Sequence, residues 1–186
     1  MDRKIKEAGM THAKLNSRID ALERKRTAMF DKLAGYDHAA LNKKPSAEAW
    51  SAVQTLEHMM TVEMAATTYV KKKSLDKSSA TRTGVKQWFR SLMLDNYLRS
   101  PKKFPAPSSV APVLKQANLQ DIRTQWNTVR QDMRDTIAAM PPDLLDHGWF
   151  KHPAVGMLNF KQMLSFMEAH YDRHENQVWR TLQAVA

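Results

Sequence analysis

The strongest constraint in this chain is a run of apolar residues between positions 122 and 140. Ile122, Trp126, Val129, Met133, Ile137 and Met140 recur in steps of three and four. That period matches the 3.6-residue turn of an α-helix and is incompatible with the two-residue alternation of a half-buried strand. Pro141-Pro142 then ends the segment, because proline lacks the donor N–H and restricts the residue before it. The same pattern governs three other segments. Leu15, Ile19, Leu22, Met29 and Leu33 form a stripe over about Thr11 to Ala34, with Gly35 where a C-terminal cap would stand. Trp50, Val53, Leu56, Met60 and Met64 fall at helical spacing in a run after Pro45 that reaches about Lys73, with Ser46 as its N-cap. A fourth helix starts at Asn159, with Gln162 completing a capping box and Leu158 and Met163 spaced as a hydrophobic staple, and runs to about Leu182.

Only 5 glycines occur in 186 residues, so little of the chain is suited to special backbone geometry. The expected fold is all-α: a four-helix bundle, one domain over residues 1–186, with a long crossover between helices 2 and 3. Val85, Trp88, Phe89, Leu92 and Met93 predict a short extra helix inside that crossover, and the proline-rich Pro101 to Pro112 follows it.

Charge is unevenly spread. The chain carries a net +10, yet residues 71–103 alone hold ten cations (Lys71, Lys72, Lys73, Lys77, Arg82, Lys86, Arg90, Arg99, Lys102, Lys103) against Asp76 and Asp95, a net +8. With Trp88 and Phe89 among these cations, the segment admits nucleic-acid or anionic-surface binding as an alternative function. The apolar positions there also keep helical spacing, which predicts that the rings pack on the bundle while the cations stay solvated. The same Trp88 to Met93 patch could instead cover a partner, which makes a homodimer an expectation.

Cysteine is absent, so disulfides, thiolate metal sites and cysteine nucleophiles are excluded. No window approaches the roughly 18 apolar residues of a membrane span, and no apolar stretch follows the charged N-terminus. The expected location is the cytoplasm, with no membrane partner.

His170 and His174 are four residues apart on the line Met163, Met167, His170, His174, Val178. They share one inward helical face and can reach a single ion. A hydrogen-bonded structural pair has the same spacing. His58 lies on a small, polar face with Ser51, Gln54, Thr55, Val62 and Ala65, where its position alone fits a surface histidine or a pocket lining.

Two stretches carry a family resemblance: Lys44-Pro45-Ser46-Ala47-Glu48-Ala49-Trp50-Ser51-Ala52-Val53-Gln54-Thr55-Leu56-Glu57-His58, and His152-Pro153-Ala154-Val155-Gly156-Met157-Leu158 leading to His170-Tyr171-Asp172-Arg173-His174-Glu175-Asn176-Gln177. From about Leu15 to Leu182 the chain resembles the DinB-like superfamily, metal-binding bundles related to the YfiT-like hydrolases and the bacillithiol and mycothiol transferases. The resemblance implies that His58, His170 and His174 are the ligands of a divalent metal, zinc or nickel foremost, with iron or manganese also admitted by nitrogen donors. It also implies a homodimer, and hydrolysis of a small molecule or transfer of a low-molecular-weight thiol to one. His152 fits a turn residue. No general base stands out among Glu57, Glu63 and Glu168. A bundle that binds metal or ligand without turnover is the non-catalytic alternative.

Overall fold

The computed structural model describes residues 9–100, 110–111 and 116–186. Six α-helices appear among them: α1 (His12–Leu33), α2 (His38–Asn42), α3 (Ala52–Lys73), α4 (Val85–Leu98), α5 (Leu119–Ala138) and α6 (Phe160–Val185). The four long ones make the expected bundle. α1 and α3 each pack against both α5 and α6, and α4, the helix of the crossover between α3 and α5, lies outside against α6. Most of the proline-rich stretch expected from Pro101 to Pro112 lies outside the described residues.

The apolar stripes account for the core. Leu15, Ile19, Leu22, Met29 and Leu33 of α1 are buried, as are Ile122, Trp126, Val129, Met133, Ile137 and Met140 of α5 and its exit. Each such aliphatic or Met side chain contributes about 1.5–3 kcal/mol by leaving water. Helix starts follow local chemistry. Thr11 caps α1, accepting from the Lys14 amide at 3.2 Å. Asn159 caps α6 in a box: its side chain accepts from the Gln162 amide at 2.9 Å, and Gln162 Oε1 accepts from the Asn159 amide at 3.0 Å.

Several expectations require correction. α3 is capped by Ser51 and not Ser46: Ser51 Oγ accepts from the Gln54 amide, and Gln54 returns the bond. Ser51 wins because only it has a glutamine three residues on to close the box. Met64 was assigned to the buried stripe of α3 but is 44% exposed, since the inward face there turns to Glu63, Ala66 and Thr67. Gly35 does not take the left-handed conformation of a capping glycine; Ala34 ends α1 in right-handed geometry. α2 was unforeseen because five residues carry too little periodicity to reveal themselves.

Short strands also appear among the described residues, one between α3 and α4 and three between α5 and α6. β1 (Thr81–Arg82) pairs antiparallel with β2 (His147–Gly148), and β3 (Phe150–His152) with β4 (Gly156–Leu158). Gly156, at φ +83°, lets the β3–β4 hairpin turn, a conformation that side chains with a Cβ rarely adopt.

The largest correction concerns α4. Its apolar residues do not pack on the bundle: Trp88 is 58% exposed, Phe89 55%, Leu92 43% and Met93 58%. The helix is turned so that Ser91 and Leu94 are buried instead. The spacing correctly indicated a helix, but periodicity gives an apolar face no direction.

Between α1, α3 and α5 the core holds charge. Glu63 accepts from Trp126 Nε1 at 2.9 Å and from Arg130 Nη2 at 2.8 Å, with both members of the ion pair almost wholly buried. Arg26, also buried, bonds Glu23 and Asn127. Removing one partner of such a pair leaves the other charge desolvated and uncompensated. Glu63→Ala is therefore expected to destabilise the protein by about 3–5 kcal/mol in urea unfolding, whereas an exposed pair such as Lys71–Asp132 should cost under about 1 kcal/mol when Lys71 is replaced.

Candidate metal centre

The capping box of α3 sets the start of that helix, so that His58, seven residues beyond the cap, faces α6. Trp50, the residue before the cap, lies against the His58 ring at 5.0 Å between centroids. The Asn159 cap similarly fixes α6, whose residues 166, 170 and 174 rise one turn at a time toward the same point. Packing of α3 on α6 brings the three imidazoles together. Ring centroids are 5.1 Å apart for His58 and His170, 4.8 Å for His58 and His174, and 4.4 Å for His170 and His174. One ring nitrogen from each lies within 4.8 Å of the others. His58 thus stands in the interior with the pair on α6 and not on the outer surface.

The hydrogen bonds define which nitrogens are available. His58 Nδ1–H donates to the Val110 carbonyl at 2.7 Å, which leaves a lone pair on Nε2. His174 Nδ1–H donates to Gln177 Oε1 at 2.9 Å, again leaving Nε2. His58 Nε2 and His170 Nε2 face each other at 3.2 Å. That distance matches the edge, roughly 3.3 Å, of a tetrahedron built on metal–nitrogen bonds of about 2.0–2.1 Å. Outer partners that hold one nitrogen while presenting the other are how proteins orient metal-binding histidines. The donor set therefore fits a divalent ion.

Electrostatics agree. Burial holds His58 below the ordinary imidazole value, holds His170 well below it and takes His174 to about 3, with the neighbouring rings adding to the effect at His170 and His174. All three are at most 9% exposed. Neutral imidazoles are the form that can offer a lone pair to a cation.

His152 sits on β3 beside this cluster, with its ring 4.7 Å from Phe166, which in turn lies 5.6 Å from His170. Its Nδ1 accepts the Ala154 amide at 3.2 Å within the hairpin turn, and burial lowers it to about 4. It is a turn residue by this bond. Of the three carboxylates considered as bases, Glu63 is tied to Trp126 and Arg130 and Glu168 to Arg18 at 2.9 Å, while Glu57, next to His58 in the chain, is buried.

A bundle of four long helices with three histidines converging between the second and the last defines a helical domain with a histidine cluster compatible with a divalent ion. The model of the DinB superfamily matches residues 21–178, and the chain belongs to that superfamily. Among curated relatives it is similar to "Uncharacterized protein YuaE" of Bacillus subtilis (strain 168), at 25% identity over 153 residues that cover 82% of this chain and 90% of the relative.

Sequence reasoning missed the partners of the ligating candidates. Gln177 carried a signal, since it follows His174 by three residues on the same helix. Val110 carried none, because a backbone carbonyl 52 residues from His58 leaves no trace in residue identity.

The histidines make the metal-free protein sensitive to acid. Each has a native value below the roughly 6.5 of the unfolded chain, so the unfolded state binds protons first as pH falls. Stability is fully present above about 6.5 and is lost as pH drops from there toward the native values, by up to about 1.4 kcal/mol per pH unit for each histidine. Urea midpoints measured without metal, at neutral pH and one unit below 6.5, should fall accordingly; equal midpoints would mean that the rings are solvated.

Proposed function

We propose that residues 1–186 act as one domain, a metal-dependent enzyme that transfers a low-molecular-weight thiol to a small electrophilic molecule, with His58, His170 and His174 holding the divalent ion. The observation that carries this reading is the convergence of three neutral imidazoles, two of them with Nδ1 already committed to an oxygen. Zinc and nickel suit such donors best, and iron and manganese also accept them. When bound, the ion supplies a Lewis acid that ionises a coordinated thiol or water near neutral pH.

The chain's own residues do the rest. Val110 and Gln177 hold the tautomers of His58 and His174, Trp50 and Phe166 wall the cluster from water, and the absence of positive charge on the rings leaves it open to a cation. Hydrolysis of a small amide or ester is the second reading. Thiol transfer is preferred because Glu63 and Glu168 are committed to cation partners, whereas attack by water usually calls on a separate base. The homodimer that the resemblance implies is kept as part of this reading, and sedimentation at micromolar concentration measures it.

Elemental analysis of protein purified without added metal or a histidine tag is the first test, followed by activity screens with and without thiol. Protein that holds no metal and takes none up would overturn the proposal. His174→Ala should lose most bound metal while keeping its helix, since alanine favours α6. Gln177→Ala should retain all three rings but bind metal about 10–100-fold more weakly. His152→Ala should keep its metal, and so should a chain with Lys71, Lys72 and Lys73 reversed to Glu, because lysines neither ligate nor attract a cation.

A further inference from the structure

α4 is built as an amphipathic helix whose apolar face points outward. At about 100° per residue, Val85, Trp88, Phe89, Leu92 and Met93 fall on one broad stripe, and the helix rests on the bundle through the opposite side, by Ser91 and Leu94. Val85 is 82% exposed, and the other four stripe residues are between 43% and 58% exposed. Lys86 and Arg90, both exposed, flank the stripe along one side. An ordinary surface helix has the reverse arrangement, with polar residues outward.

We propose that this face of α4 docks the protein on the surface of an anionic lipid bilayer. Aromatic and aliphatic side chains on one stripe suit the boundary between headgroups and acyl chains, where Trp also concentrates, and flanking cations reach the phosphates at headgroup level. Lys86 and Arg90 on the helix, with Arg82 just before it, supply exposed complementary charge. Charge also selects among occupants. In a two-fold contact with a second copy the same patch meets itself, so Lys86 and Arg90 would be brought toward the like charges of their own image. Single-stranded nucleic acid would match the charge and the rings, yet leaves Val85, Leu92 and Met93 without an apolar partner. The expectation of no membrane partner rested on the length of a span; a helix lying on the surface needs none, and no described helix is long and apolar enough to cross a bilayer.

The test uses the full chain with vesicles of phosphatidylcholine, with and without phosphatidylglycerol, by co-sedimentation. Binding is expected with phosphatidylglycerol, weak or absent without it, and falling as salt rises. Trp88→Ser combined with Phe89→Ser should lower the partition coefficient about tenfold or more, with circular dichroism unchanged because both side chains are already exposed. Lys86→Glu with Arg90→Glu should lower it on anionic vesicles only. The proposal falls if the folded chain ignores both vesicles, or if the aromatic variant binds them as well as the parent does. It also falls if sedimentation shows a dimer that the aromatic variant dissociates, or if single-stranded DNA binds while vesicles do not.

Discussion

Desolvation of three imidazoles inside the bundle is the constraint on which the rest of the site depends. A buried neutral ring has two nitrogens to satisfy, and an unsatisfied one costs about 1–3 kcal/mol. His58 and His174 place one nitrogen each on an oxygen, Val110 and Gln177 respectively, and turn the other inward. The inward nitrogens have little but one another, which is the condition a cation relieves. Residues some distance along the chain are thereby recruited: the segment containing Val110 is tied to α3, and the last turns of α6 to His174.

Two groups of the bundle's polar interior are paired apart from this cluster. Glu63, Arg130 and Trp126 form a bonded group on α3 and α5, while Glu23, Arg26 and Asn127 form another on α1 and α5. These groups commit Glu63 and Glu23 to cation partners.

The outward apolar face of α4 follows from how that helix is anchored. α4 packs against α6 with Ser91 and Leu94 buried, supported by Arg173 donating to the carbonyls of Leu98 and Ser100 at 3.0 Å and by Arg99 meeting Asp172 at 3.3 Å. Polar anchoring of this kind frees the helix from burying its apolar stripe in the bundle. The stripe is then available to a different apolar phase.

What the sequence determined alone was whatever local chemistry specifies: four helices from the 3.6-residue period, the Asn159 cap from Gln162 three residues on, and the shared face of His170 and His174 from a four-residue step. Ser51 was legible by the same rule and lost only to a nearer serine after Pro45. Tertiary structure decided what period and spacing leave free. It brought His58 across from α3, selected the Val110 carbonyl as its partner, tied Glu63 to Arg130, and turned the apolar face of α4 to the outside. The physical reason is that periodicity fixes which residues share a face, whereas the identity of the surface that face meets depends on the packing free energy of the whole chain.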